Sequence, residues 1–170
     1  MKFTAPLHAF THWEKNTPDQ LMFHQPFNQG SVKMSYKEAG IEIRKIAQAL
    51  IAMNYAPKSK IALLSKNCSH WIMADLAIQM AGHISVPIYP TINANSIAEI
   101  MSHSESKAVI VGKLDNYEAQ RSGLEGFTKI GIKAYQVEEK LNWEDMVAQN
   151  EALTEVPEQN PEDLLTIMYT

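Results

Sequence analysis

Short apolar runs recur along this chain with a spacing that leaves few folds open. Ile61-Ala62-Leu63-Leu64, Ile84-Ser85-Val86-Pro87-Ile88-Tyr89, Ala108-Val109-Ile110-Val111 and Ile130-Gly131-Ile132-Lys133-Ala134-Tyr135 begin near positions 60, 84, 107 and 131. Successive starts are 24, 23 and 24 residues apart. Antiparallel neighbours can be joined by a tight turn, whereas parallel ones need a crossover of a dozen or more residues, and these intervals supply it. The run at 61–64 has no polar face, as a strand covered on both sides requires. The rhythm therefore predicts compact βα units with right-handed crossovers: a Rossmann-like α/β fold, its sheet largely parallel, with helices on both faces. The units share no residue pattern, so the period is architectural and not a sequence repeat.

The helices between the runs carry their own boundary signals. Ser35-Tyr36-Lys37-Glu38 has capping-box spacing, the serine hydroxyl accepting from the Glu38 amide while the glutamate reaches back. Behind it Ala39, Ile43, Ile46, Ala47, Leu50 and Met53 make one apolar face. Asn54 suits a left-handed C-cap, and Pro57 stops continuation. Residues 67–81 read as a helix closed by Gly82. Ser96-Ile97-Ala98-Glu99 repeats the capping-box spacing and opens a helix ending near His103. Asn142 is placed to cap a last helix through Gln149. Pro87 marks its strand as an edge, a bulge or an early end. Ahead of all this, residues 1–34 read as an irregular entry containing a hairpin, Leu21-Met22-Phe23-His24 against Val32-Lys33-Met34 with Gly30 in the turn. The expected divisions are 1–34 for this extension, 35–154 for the α/β unit, 155–163 for an acidic, proline-punctuated linker, and 164–170 for a final strand. Such strands lead into ligand loops in parallel-sheet enzymes, so the chain reads as a fragment whose loop comes after Thr170.

Composition removes several function classes. Of 170 residues, 45% are hydrophobic and 20% charged, with a net charge of -4. That balance, with no clustered Lys/Arg stripe, argues against a nucleic-acid partner. The single cysteine, Cys68, excludes an internal disulfide and suits a reducing cytoplasm; it reads as an inert small residue at a helix start. No signal-peptide pattern and no window of eighteen apolar residues occurs, so membrane contact would be peripheral and made by other regions. His70, His83 and His103 are spaced 13 and 20 residues apart, which matches no zinc signature. Trp71 and Met73 read as core, and the acids at 151–163 as a solvated linker.

Four stretches resemble the adenylate-forming (AMP-binding) enzymes, in the order found there. They are Met34-Ser35-Tyr36-Lys37-Glu38 continuing to Ile46-Ala47-Gln48-Ala49-Leu50; Lys60-Ile61-Ala62-Leu63-Leu64-Ser65-Lys66-Asn67 with His70-Trp71 and Ala74-Asp75-Leu76-Ala77; Ala81-Gly82-His83-Ile84-Ser85-Val86-Pro87-Ile88-Tyr89-Pro90-Thr91; and Pro161-Glu162-Asp163-Leu164-Leu165-Thr166-Ile167-Met168-Tyr169-Thr170. The resemblance runs from about Phe10 to the last residue. The form Val86-Pro87-Ile88-Tyr89-Pro90-Thr91 is similar to the long-chain fatty acyl-CoA synthetase branch. Asn54 stands where many relatives have glycine, and Lys58-Ser59 where they have a Gly-Asp pair.

The resemblance implies a ligase that joins a fatty acid to coenzyme A through an acyl adenylate, using ATP and Mg²⁺. In the family the fourth stretch leads into a Ser/Thr/Gly-rich phosphate loop. Tyr169 and Thr170 match its first positions, so Thr170 is expected to contact phosphate or Mg²⁺ in the parent. Gly82 is expected either to approach the CoA pantetheine channel or, more plainly, to serve as a helix C-cap. No catalytic residue is expected in this chain, which is expected to bind no cofactor by itself and to be inactive alone. Open alternatives are an adenylating enzyme with a carrier-protein acceptor, and a stand-alone nucleotide-binding or partner-docking module. Exposed sheet edges predict self-association.

Overall fold

The structure of the protein, a computed structural model, describes residue 3 and residues 5–169. Its centre is a five-stranded parallel sheet: β3 (Lys60–Leu64), β4 (Ile84–Ile88), β5 (Ala108–Val111), β6 (Thr128–Gly131) and β7 (Leu141–Asn142), in the spatial order β4-β3-β5-β6-β7. A two-stranded antiparallel hairpin, β1 (Leu21–Pro26) and β2 (Ser31–Ser35), stands apart from it. The helices are α1 (Pro6–Asn16), α2 (Tyr36–Ala52), α3 (Ser69–Met80), α4 (Ala94–His103) and α5 (Trp143–Gln149).

Alternation along the strands divides the interior into two cores. Ile61, Leu63, Ala108, Ile110 and Ile130 pack with residues of α1, α2, α3 and α5. Ala62, Leu64, Val86, Ile88, Val109 and Val111 pack instead with Ile97 and Met101 of α4 and with Leu124. Because successive side chains of a strand point to opposite faces, one uninterrupted apolar run feeds both. Helices thus cover both faces of the sheet, as the sequence predicts.

The capping box that opens α2 is complete: the Glu38 amide donates to Ser35 Oγ, and the Ser35 amide donates to Glu38 Oε2 at 2.7 Å. Asn54 does take a left-handed conformation, φ 57°. Other boundaries move, each for a visible reason. Residues 6–16 of the expected irregular entry form α1, started by Pro6 and held by buried Leu7 and Phe10, an i, i+3 pair amid polar residues. The α4 N-cap is Asn93, whose Oδ1 accepts from the Ser96 amide; Ser96 therefore lies inside the first turn instead of capping it. The α3 N-cap is Cys68, which makes no side-chain cap, and Gln25 Oε1 accepts from the Ser69 amide in its place. Asn142 occupies the N-cap of α5, yet its side chain bonds the Glu139 backbone. The strand expected at 130–135 is β6, at 128–131, and a 3-10 turn, Lys133–Tyr135, comes after it. At Gly131 a Cβ would come within 2.5 Å of the Val137 carbonyl oxygen, so glycine lets the returning chain cross close behind the strand.

Of the expected strand at 164–170, the described residues pair at one point: Thr166 lies beside Ser85, with the Ser85 amide donating to Leu165 O and the Ile167 amide to Ser85 O, both at 2.9 Å. The next outward-facing position of β4 is Pro87, which has no N–H to donate, so the ladder stops there. The segment reaches this edge by a strap, residues 150–163, that returns from α5 across the α2/α3 layer. Arg44 ties it first, donating to Leu153 O at 3.0 Å while also pairing with Glu14 of α1. Gln159, buried, donates to Gln79 Oε1 at 3.4 Å, and Lys58 meets Asp163 at 3.3 Å.

Beneath the strap Gln79 also donates to Asp75 Oδ2 at 2.8 Å. Asp75 Oδ1, Ser85 Oγ, Gln159 Oε1 and His83 Nδ1 are buried without a formed partner among the described residues. Burial raises the Asp75 carboxyl above its ordinary value of 3.8; Ser85 and Gln79 offset part of that, although only the Gln79 bond is fully formed. A carboxyl raised on folding holds its proton more tightly in the native state, so stability falls as pH climbs from the ordinary carboxylate range through the raised value. Asp75→Asn should therefore melt higher than the wild-type chain at pH 7, with the difference vanishing below pH 3.8 in a pH series of thermal melts. Ser35→Ala, which removes the α2 cap, should cost about 1 kcal/mol in urea denaturation.

Candidate functional site

Parallel sheets bind ligands beyond the C-terminal ends of their strands, most often at the point where the strand order reverses. Here that point lies between β3, whose chain leaves toward β4, and β5, whose chain leaves toward β6. The crevice is shut. The Lys66 amide donates to Lys113 O at 2.8 Å, the Lys113 amide to Ser65 Oγ at 2.9 Å, and Ser65 Oγ to Lys66 O at 2.8 Å. Gly112 makes the closure possible, since a Cβ there would lie 2.6 Å from Ser65 Oγ.

The open site is one strand over, at the ends of β3 and β4. A cleft of about 180 Å³ lies between Ser65 and Asn67 on one side, residues 87–90 on the other, and Trp71, Met168 and Tyr169. Apolar rings and chains dominate it, and its polar groups are hydroxyls and one amide; no lining residue carries a charge. Tyr89 and Met168, 65% and 74% exposed, are among the most exposed large hydrophobic residues of the molecule. Such a surface can accept an uncharged or acyl-bearing ligand, and by itself offers nothing to neutralise a polyphosphate.

Of the residues singled out in the sequence, Tyr169 lies in the cleft. Its hydroxyl is 2.8 Å from His103 Nδ1, and the two rings meet edge-on, with centroids 5.7 Å apart. Thr170 lies outside the described residues. Gly82 stands at the other end of β4, before its first residue; it has φ +75°, and its carbonyl accepts from the Lys58 amide at 3.0 Å. That is the geometry of a helix C-cap. Trp71 is half-buried and serves both the core and the cleft wall, while Met73 is fully buried.

The histidines have separate surroundings. His70 sits between Tyr135, whose hydroxyl is 3.1 Å from Nδ1, and the edge of Trp143; burial pushes its pKa down to about 4, so it is neutral at pH 7. His83 is buried beside Tyr55, and burial lowers its pKa as well. His103 ends α4. Another polar cluster has no mark in the sequence: Glu139 accepts from Tyr117 Oη at 2.6 Å and from Arg121 Nε at 2.8 Å. Burial pushes the Tyr117 phenol pKa up, and the bond to Glu139 adds to it. These three groups satisfy one another and close a loop. The cleft residues Ser65 and Asn67 do carry a sequence signal: they directly succeed an apolar strand, where ligand loops begin.

Residues 10–170 match the family model described as AMP-binding enzyme. Fatty acyl-CoA synthetase A of Dictyostelium discoideum is 27% identical over 155 residues, covering 81% of this chain and 22% of that protein. The chloroplastic long-chain-fatty-acid–[acyl-carrier-protein] ligase AEE15 of Arabidopsis thaliana is 29% identical over 110 residues, covering 65% of this chain and 15% of the other. The chain thus spans less than a quarter of the length of these curated relatives. Among solved structures, the N-terminal domain of FACL13 from Mycobacterium tuberculosis superposes with a TM-score of 0.81 at 21% identity, covering 100% of this chain and 42% of that one. At that identity the likeness concerns the fold.

The closed crevice makes its own forecast. Gly112→Ala should force Ser65 away from the Lys113 amide and cost about 1–3 kcal/mol, measured by urea denaturation. A neutral substitution would mean that the two loops separate freely.

Proposed function

The chain belongs to the AMP-binding enzyme family, and from that premise we propose that it is the N-terminal α/β scaffold of an AMP-forming acyl-CoA synthetase acting on fatty acids. In that reaction a carboxylate oxygen attacks the α-phosphorus of ATP and pyrophosphate leaves, giving an acyl adenylate. The thiolate of coenzyme A then attacks the acyl carbon and AMP leaves. The first step gathers anions and requires cations and aimed N–H donors, which a Gly-rich loop and Mg²⁺ supply in such enzymes.

The observation that carries this reading is the cleft at the ends of β3 and β4, entered by Tyr169 and lined without charge. On this reading the chain supplies one wall of the site and the stem of the phosphate loop. Tyr169 and Thr170 are the first residues of that loop, Thr170 facing phosphate or Mg²⁺. The cations come from elsewhere in the parent. The shut crevice between β3 and β5 speaks against a stand-alone nucleotide-binding module, because the customary nucleotide position is filled by the protein's own loops. A carrier-protein thiol as the final acceptor is a second reading, favoured by the likeness to the ligase named for an acyl-carrier protein. Among the described residues no helix is long and apolar enough to cross a membrane.

The test is exchange of labelled pyrophosphate into ATP. The complete protein, carrying every residue its gene encodes, should catalyse exchange that depends on added long-chain fatty acid. The isolated 170-residue chain should catalyse none. Exchange by the isolated chain would overturn the scaffold assignment, and its absence from the complete protein with every fatty acid offered would overturn the enzyme reading. Acyl transfer to CoA against transfer to a carrier protein then decides the acceptor.

A further inference from the structure

The segment that ends in the cleft is held to the sheet by very little backbone. Among the described residues Thr166 makes the one bridge to β4, and Pro87, without an N–H, ends the ladder there. A single parallel bridge fixes one point of a chain but leaves its direction free, so the residues beyond Ile167 must be aimed by side chains. Upstream, the buried Gln159–Gln79 bond and the Lys58–Asp163 pair locate where the segment begins. Downstream, Ile167 packs against the second core, and the sole side-chain hydrogen bond of 164–169 among the described residues joins Tyr169 Oη to His103 Nδ1, at 2.8 Å.

His103 is a firm reference point for such a contact. It is the last residue of α4, whose Ile97 and Met101 are fully buried. The turn behind it is fastened by Ser104, which donates its amide to Ile100 O at 2.9 Å and lies 2.7 Å from Ser106 through their buried hydroxyls. In the Nε2–H tautomer Nδ1 accepts from the phenol. The edge-on ring contact, with planes at 85°, restricts the tyrosine further.

We infer that His103 is a positioning residue: it grips Tyr169 and thereby sets the direction in which the chain departs for the phosphate-binding loop. This rests on the acyl-CoA synthetase reading for its consequence, though not for the contact itself. In this role His103 neither touches substrate nor exchanges a proton with it. Its effect is felt on the nucleotide, through one hydrogen bond whose loss misplaces a loop.

Two arms test it separately. In the 170-residue chain, the His103 Nδ1 and Nε2 nitrogen-15 shifts should report the Nε2–H tautomer, and Tyr169→Phe should move Nδ1 toward a mixed population. Unchanged shifts would overturn the contact whatever the enzyme does. In the complete protein, His103→Ala and Tyr169→Phe should each raise KM for ATP by roughly 3- to 10-fold, the worth of one hydrogen bond, with KM for fatty acid and for CoA unchanged. The double variant should be no worse than either single one, and His103→Asn, which puts an amide heteroatom near the place of Nδ1, should restore much of the loss. An equal rise in all three KM values, an additive double variant, or a fall in melting temperature without any change in KM for ATP would overturn the positioning role. If the wild-type complete protein fails to exchange pyrophosphate into ATP, the enzyme reading falls while the tautomer arm still decides the contact.

Discussion

Everything in this molecule is arranged about β3. Five residues long, it bonds β4 along one edge and β5 along the other, and both its faces are covered. Ile61, Ala62, Leu63 and Leu64 are each fully buried. A strand in that position must satisfy its backbone sideways and its side chains above and below at once, and only an apolar run without alternation can do so. Ile61 and Leu63 commit α2 and α3 to one face; Ala62 and Leu64 commit α4 to the other. With the neighbours fixed, the loop after β3 closes the crevice toward β5 through Ser65, and the opening toward β4 becomes the available cleft.

The second constraint is the absence of one N–H donor. Pro87 faces outward from β4, and the missing N–H there leaves the approaching segment a single bridge at Ser85. A full strand pair would have fixed the segment over its whole length. In its place the chain is guided by separate attachments, Arg44 on α2, Gln79 on α3 and Lys58 before β3 along the strap, and His103 at the end of α4 beyond it. They draw on helices from both faces of the sheet, so the position of the exit integrates the packing of the whole layer structure. The buried polar groups beneath the strap belong to the same arrangement, since Gln79 bonds both Asp75 and Gln159.

How much the sequence discloses depends on how local each determinant is. The strands β3 and β5, α2 with its Ser35–Glu38 box, and the turn at Asn54 depend on residues within a few positions of one another, and they read correctly. Helix α1 does not, because its apolar face is only Leu7 and Phe10 and makes sense only once α2 and α3 are present to cover it. The second capping-box spacing, at Ser96–Glu99, misleads because Asn93 outcompetes it three residues earlier. The end of β6 depends on Val137 returning behind Gly131, and the short pairing of 164–169 on which edge Pro87 faces; both are facts of tertiary arrangement. In the cleft, Tyr169 is legible through a motif, whereas its partner His103 is 66 residues away and bears no local mark.

The wall of the cleft carries no charged side chain. Trp71, Tyr89, Met168 and Tyr169 build it from rings and one apolar chain, so its side chains meet without like-charge repulsion. The most exposed member of that wall, Met168, lies between the Ser85 bridge and the His103 contact. Fixing the chain on both sides of an exposed apolar residue keeps that residue facing the cleft, where burial in a loose segment would otherwise draw it back toward the core.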